Sequence, residues 1–377
     1  MKGSRRALEI AAFVPVTLAG GVLIQTFVSG ARNSDFRLFY EYIERAGLDL
    51  PLYGPLTVAG RVWAHGPNLN PPHFYVLVAP FTILSLNAAF VGWMVAGAAA
   101  ILGAAFVAQR DLRANWTPTA AVIILNNAAL NSTVRTGQLS FLLALPVTLA
   151  WRAARHARWT SLGAWLGLAA SVKPFLLIVL PYLVLRRLWR AVAVMVLTIC
   201  GCVATGALVF GVEAVRDWVG VLAHQGRMDT HFHNASWVGF AARALPAHWR
   251  TVSILIAVVG VLVTVAVAYR THSVNRAWLL MMIGALLWSP LGWIYYGWIL
   301  MPPAVAWALE GRMPRLIWAG AMLWLWPPYT PSLSEASPFV AGTAGSVYFW
   351  GLLLAWVGAA QGALTEAAHA DPLNTEQ

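Results

Sequence analysis

Long apolar runs separated by short polar stretches repeat along the whole chain, and their lengths decide most of what can be predicted. Runs at about 8–30, 87–109, 191–211, 251–269 and 346–364 have the length a helix needs to cross a bilayer, roughly 20 residues. Shorter runs at about 117–134, 138–151, 277–290, 292–309 and 316–328 fit further crossings joined by polar turns. The run at about 73–86 is too short to span, which predicts a re-entrant or juxtamembrane helix closed off by Pro71-Pro72. Residues 159–185 could form one long span, but that would put Arg186, Arg187 and Arg190 on the side away from the other arginine clusters. Two short helices meeting at Lys173-Pro174 remove the conflict. Pro174 would open the second helix, where its missing donor costs nothing.

Between the first two long runs lies a polar stretch, Asn33 to Tyr42. As a helix from about Phe36 it puts Phe36, Phe39, Tyr40 and Ile43 on one face and Arg37, Glu41 and Glu44 on the other. This predicts an amphipathic helix lying on a membrane surface, with Asp35 at its N-terminal mouth. There the carboxylate could cap backbone amides or face a substrate at headgroup level.

Charge then orients the spans. Arginines gather at alternate ends of the apolar runs, which predicts cytoplasmic termini and two external loops, 31–72 and 212–250, with a polar cytoplasmic tail over 365–377. Apolar residues make up 59% of the chain and charged ones 10%, so most of it must be dissolved in lipid. The expected fold is all-α, a polytopic integral membrane protein forming one domain over 1–377. About 12 transmembrane helices are expected, with external juxtamembrane helices besides. The net charge of +11 would suit nucleic acid in a soluble protein, but here the arginines border apolar segments, where orientation and anionic headgroups account for them. Nucleic acid is therefore not an expected partner. Cys200 and Cys202 share one apolar run and fit small core residues better than a metal site or a disulfide. The first run is too long for a signal-peptide core and predicts a retained helix.

Candidate chemistry concentrates in the external turns. The chain has two lysines, Lys2 and Lys173, and the second sits among apolar neighbours. A cation at that depth either snorkels to the interface or meets an anion. Arg135 and Gln138 share another external turn and, with Lys173 and Arg61, could give charge-assisted donors to a lipid phosphate. His231-Phe-His233 with Asn234 is a poor metal pattern and suits a polar ligand or a plain loop. Asn131-Ser-Thr133 and Asn234-Ala-Ser236 fit the glycosylation sequon, a pattern frequent by chance. The string Trp288-Ser-Pro-Leu-Gly-Trp-Ile-Tyr-Tyr-Gly297 interrupts an apolar run with Pro290 and Gly292, and irregular backbone in a membrane needs polar partners or a cavity. Tyr295 and Tyr296 could line it, or belong to an interfacial aromatic belt.

Taken in order, the features form a familiar set. They are the first helix, the loop opening with Asp35, Tyr53 after an LPLY string, Pro71-Pro72 before a short helix, Gly137-Gln138, Lys173-Pro174, an RRLWR cluster and the Ser289-Pro290 break. The order resembles membrane glycosyltransferases of the GT-C superfold, in particular glycosyltransferase family 87, over roughly residues 8–310. The resemblance implies an enzyme that takes a sugar, mannose in this family, from a polyprenyl-phosphate carrier and passes it with inversion to a glycolipid or glycan. It places the active site on the external side of a bacterial inner membrane. Asp35 matches the acid that follows the first helix in such enzymes, and Lys173 and Arg135 match basic residues around the carrier phosphate. Tyr53, His65, Asn68, His73, His231, His233, Asn234, Tyr295 and Tyr296 are the expected substrate-binding residues. Tyr295-Tyr296 stands where some members carry a pair of histidines, which leaves the base and the acceptor class open.

The chemistry suits the residues independently. Displacing a phosphate from a sugar carbon needs a base for the attacking hydroxyl and cations for the departing charge. One carboxylate suffices for inversion, and no metal or cofactor is expected. The runner-up function is a transporter or flippase of lipid-linked sugars, although the chain has no evident inverted repeat. A non-catalytic lipid-binding subunit is a third.

Overall fold

The computed structural model describes residues 35–48, 50–53, 57–58, 61–62, 69–114, 117–223, 230–311, 313–325 and 337–370, with a few isolated positions besides. Most of the first apolar run and residues 371–377, like His65 and Asn68, lie outside the described residues.

Helix α1 (Asp35–Ala46) is followed by a two-residue hairpin, β1 (Thr57–Val58) with β2 (Arg61–Val62). Then come α2 (Phe74–Val78), continued by a 3-10 turn over Ala79–Ile83, and the long helix α3 (Leu86–Leu112). Helices α4 (Thr117–Leu125), α5 (Asn127–Thr136) and α6 (Ser140–Arg155) follow. After them come α7 (Trp159–Val172), a 3-10 turn over Pro174–Ile178, α8 (Val179–Leu185), α9 (Trp189–Phe210) and α10 (Val212–Ala223). The remainder is α11 (Trp237–Ala244), α12 (Arg250–Arg270), α13 (Val274–Leu287), a 3-10 segment Ile294–Leu300, α14 (Met301–Glu310), α15 (Arg315–Leu323), α16 (Pro338–Gly342) and α17 (Val347–Ala370). Apart from the small hairpin this is an all-α integral membrane protein.

Among the described residues four helical stretches are long and apolar enough to cross a membrane in one piece: Leu86–Leu112, Trp189–Phe210, Ala247–Arg270 and Pro338–Glu366. Shorter apolar helical stretches run over Phe74–Ile83, Pro174–Leu185 and Val274–Leu287. The run expected at 117–134 divides at Asn126, and residues 365–370, expected in the tail, are the last turns of α17.

The bundle has two chemically distinct ends. Helix α3 is about 40 Å long at 1.5 Å per residue. At its start Tyr40 on α1 donates to the Leu84 carbonyl at 2.8 Å. At its far end the nearly buried carboxylate of Asp111 meets Arg152 at 3.2 Å, Arg155 at 3.0 Å and His156 at 2.5 Å. The arginine-rich end continues through Asn275, which donates to Glu310 at 2.7 Å, and Arg276, which lies 3.7 Å from Glu310 and 3.6 Å from Glu366. Arg186 joins it by donating to the Thr271 carbonyl, whose own hydroxyl donates to Glu366. The chain thus leaves this end at Arg158, turns at Lys173-Pro174 and is back by Arg186, as the two-helix reading requires. The extended φ of Lys173 marks the break.

Helices α7 and α9 pack closely because Gly163 and Gly167 face α9. A Cβ on Gly167 would come within 2.7 Å of the Met195 carbonyl, and one on Gly163 within 2.4 Å of the Ala191 carbonyl. Small residues four apart are how membrane helices bring their backbones together. Gly167→Val is expected to push the pair apart at a cost of about 1–3 kcal/mol. A lower melting temperature in detergent is the readout, and an unchanged one would show that the contact does not hold the helices.

Helix α1 departs from the expected surface helix. Phe36, Phe39, Tyr40 and Ile43 are buried as foreseen, but so are Tyr42, Glu41 and Arg45. The Arg37–Glu41 pair closes at 2.5 Å on the far face. The helix is wedged against the start of α3 and the 79–83 turn, so much of its polar face is covered by protein.

Candidate active site

Asp35 is the first residue of α1, and its carboxylate accepts a hydrogen bond from the Gln138 amide, 103 positions away in the chain. The contact is made possible by Gly137, whose φ of 66° is left-handed and whose absent Cβ would lie 2.7 Å from the Cβ of Phe36. Phe36 seats on this glycine, Trp93 donates to the Gly137 carbonyl at 2.9 Å, and the neighbouring Gln138 therefore reaches Asp35.

Lys173 comes from the opposite direction. Its ammonium turns inward, donating to Asn70 Oδ1 at 2.8 Å and lying 5.4 Å from the centroid of the Tyr296 ring. It does not snorkel. Asn70 is held in turn by Tyr53, whose hydroxyl donates to its carbonyl. Trp218 on α10 donates to the adjacent Leu69 carbonyl at 3.3 Å, so α10 braces the 69–70 segment. Asp35 and Lys173 feel each other's charge, and both are shifted mainly by burial. The Asp35 carboxyl is held above the usual carboxylate range, and Lys173 is brought down to about 7. His73, buried beside the Ser171 backbone at the end of α7, is pulled down to about 4 by burial and stays neutral.

The Ser-Pro break forms the third wall. Asn234 is fully buried, and its side chain is committed to backbone. Its Oδ1 accepts from Gly292 N at 2.9 Å and Ser236 N at 3.2 Å, and its Nδ2 donates to the Pro290 carbonyl at 3.1 Å. Asn234 stitches the 230–236 segment to the break and positions its neighbours. The same burial removes its sequon from any modifying enzyme. The stitch continues where Ala235 N donates to the Gly292 carbonyl and Ile294 N to the His233 carbonyl. Trp293 and Tyr295 stack at 5.8 Å, Tyr295 meets Tyr296 edge-on at 4.9 Å, and both tyrosines lie within electrostatic reach of Asp35. The aromatics are thus buried in the site and are not an interfacial belt. His231 and His233 stand 5.1 Å apart beside Trp293, and exposed Arg135 lies within electrostatic reach of His233.

The structure therefore brings together Asp35, Gln138, Lys173, Tyr53, Tyr295 and Tyr296, with His73 and the Arg135–His233 group at the margins. Arg61 lies in β2, and its side chain is outside the described residues. Asn70 and Trp293 went unassigned in the sequence, because their roles rest on contacts with Lys173 and with Tyr295 and His231 that arise only in the fold. Standing just before Pro71-Pro72 was the one hint for Asn70.

A buried carboxylate and an inward-turned lysine thus lie within electrostatic reach of each other at one end of a bundle of membrane helices. The sequence model of glycosyltransferase family 87 matches residues 68–292, and the chain belongs to that family. This sets aside the transporter reading. Among curated proteins the chain is similar to the polyprenol-phosphate-mannose-dependent alpha-(1-2)-phosphatidylinositol pentamannoside mannosyltransferase of Mycobacterium tuberculosis (strain CDC 1551 / Oshkosh), at 26% identity over 94% of this chain and 88% of that protein. The protein of the same name from Mycolicibacterium smegmatis (strain ATCC 700084 / mc(2)155) is 26% identical over 77% of this chain and 76% of its own length.

Proposed function

We propose that this chain transfers mannose from polyprenyl-phosphate-mannose to a hydroxyl of a glycolipid or glycan at the external face of a bacterial inner membrane. The single observation that carries the reading is the placement of Asp35 and Lys173 in one site. In the proposed reaction Asp35 takes the proton of the acceptor hydroxyl as its oxygen bonds to the anomeric carbon. The bond from that carbon to the phosphate oxygen breaks, and the charge left on the polyprenyl phosphate falls to Lys173. One carboxylate acting once gives inversion, and the reading needs no metal. Gln138 holds Asp35 toward the acceptor, and Asn70 with Tyr53 holds Lys173.

The external orientation is supported by the arginines gathered at the opposite end of the bundle, since cytoplasmic ends carry the basic residues. The relatives, whose names give both a polyprenol-phosphate-mannose donor and a phosphatidylinositol mannoside acceptor, support the donor class. Incubating the purified protein with radiolabelled polyprenyl-phosphate-mannose and a mannosylated lipid tests the proposal. Label is expected to move to the acceptor with release of polyprenyl phosphate, whereas donor recovered intact in every acceptor mixture would refute it.

A further inference from the structure

Among the described residues Arg243 is a buried cation that no carboxylate neutralises. It lies on α11 with 8% of its surface exposed. Its Nε donates to Ser346 Oγ at 3.1 Å and its Nη1 to the His231 carbonyl at 2.9 Å. Its Nη2 is buried and has no partner among the described residues. Removing a guanidinium from water is costly unless an anion meets it. If bracing α11 against the 344–346 turn were the whole role, a neutral side chain would serve at lower cost.

Other basic groups gather on the same side. The His231 ring feels the Arg243 charge. His233, next to it, has a buried Nε2 with no partner among the described residues. Arg135 then approaches His233 from the Gly137 turn. Arg135 lies three residues before Gln138, the residue bonded to Asp35. The succession Lys173, Asp35, Gln138, Arg135, His233, His231, Arg243 thus carries a cation at each end and the carboxylate between them.

The structure assigns Arg243, with His233 and Arg135, as a second anion site that takes a phosphate or phosphodiester group. The inference rests on the proposed function. The donor has one phosphate, which Lys173 receives, so a second anion on the far side of Asp35 belongs to the acceptor. Its chemistry is that of a headgroup phosphodiester on a glycosylated phospholipid.

Titrating the full chain in neutral detergent, with thermal shift as readout, separates the sources. One arm uses inorganic phosphate and the other a short-chain phosphatidylinositol. Either ligand raising the melting temperature of the wild type, with half-saturation at least tenfold higher in Arg243→Gln and intermediate in Arg243→Lys, establishes the site. A response to the lipid alone identifies a headgroup site, and equal responses identify a site for phosphate as such. Identical half-saturation in wild type and Arg243→Gln for both ligands overturns the inference. If Arg243→Gln does not fold, His233→Ala replaces it, leaving both braces of Arg243 in place, and an unchanged half-saturation there overturns the inference equally. Arg243→Gln titrated with polyprenyl-phosphate-mannose is expected to bind donor like wild type. A wild type that binds no donor removes the proposed function but leaves the anion result standing.

Discussion

Asp35→Asn is expected to lower turnover about a hundredfold or more, the scale for loss of a general base, while leaving donor binding and the fold intact. The asparagine amide is nearly the same size, can keep a contact to Gln138, and serves as well near a helix start as aspartate does. Stability gives an independent check. Burial raises the Asp35 pKa on folding, so the folded state favours the neutral form and ionisation of this group opposes folding as pH rises through that value. Removing the charge should therefore leave the melting temperature at neutral pH equal or higher. The same shift sets the acid limb of the wild-type pH–rate profile, which should fall away above the ordinary carboxylate range and vanish from the residual rate of the variant. Wild-type turnover in folded Asp35→Asn would return the residue to a structural role.

Lys173→Ala is expected to weaken donor binding by about ten- to a hundredfold, because a charge-assisted contact contributes roughly 1.5–3 kcal/mol and each tenfold is about 1.4 kcal/mol. Burial brings the lysine down to about 7, with Asp35 acting against the shift, so the cation is lost as pH rises through that region. Wild-type donor affinity should accordingly decline above neutrality unless the bound phosphate holds the proton in place. Lys173→Arg should retain part of the affinity and show no such decline, since guanidinium stays charged. Equal dissociation constants for wild type and Lys173→Ala in one detergent would remove Lys173 from the donor site.

Much of this was legible in the chain because membrane solvation is a strong and local rule. A run of apolar residues must be helical, clustered arginines mark the ends of spans, and a lone lysine among apolar neighbours must have a reason to be there. Those rules led to the all-α bundle, to the return of the chain at Lys173-Pro174 and to Asp35 beside the membrane. They did not determine what the polar residues touch. The Asn234 amide bonds to the backbone around Pro290 and Gly292, a contact that its place in the sequence does not announce. The burial of Arg243 against Ser346 and His231 likewise follows from packing between segments far apart in the chain.

What the sequence determined by itself is the solvent each segment must occupy, since transfer free energy depends on residue type and run length alone. What only the tertiary structure decided is which distant polar groups share one enclosure: Asp35 with Gln138, Lys173 with Asn70, His233 with Arg135. Those pairings depend on packing across the bundle, on Phe36 seated over Gly137 and α7 drawn against α9 through glycine, and no local pattern encodes them.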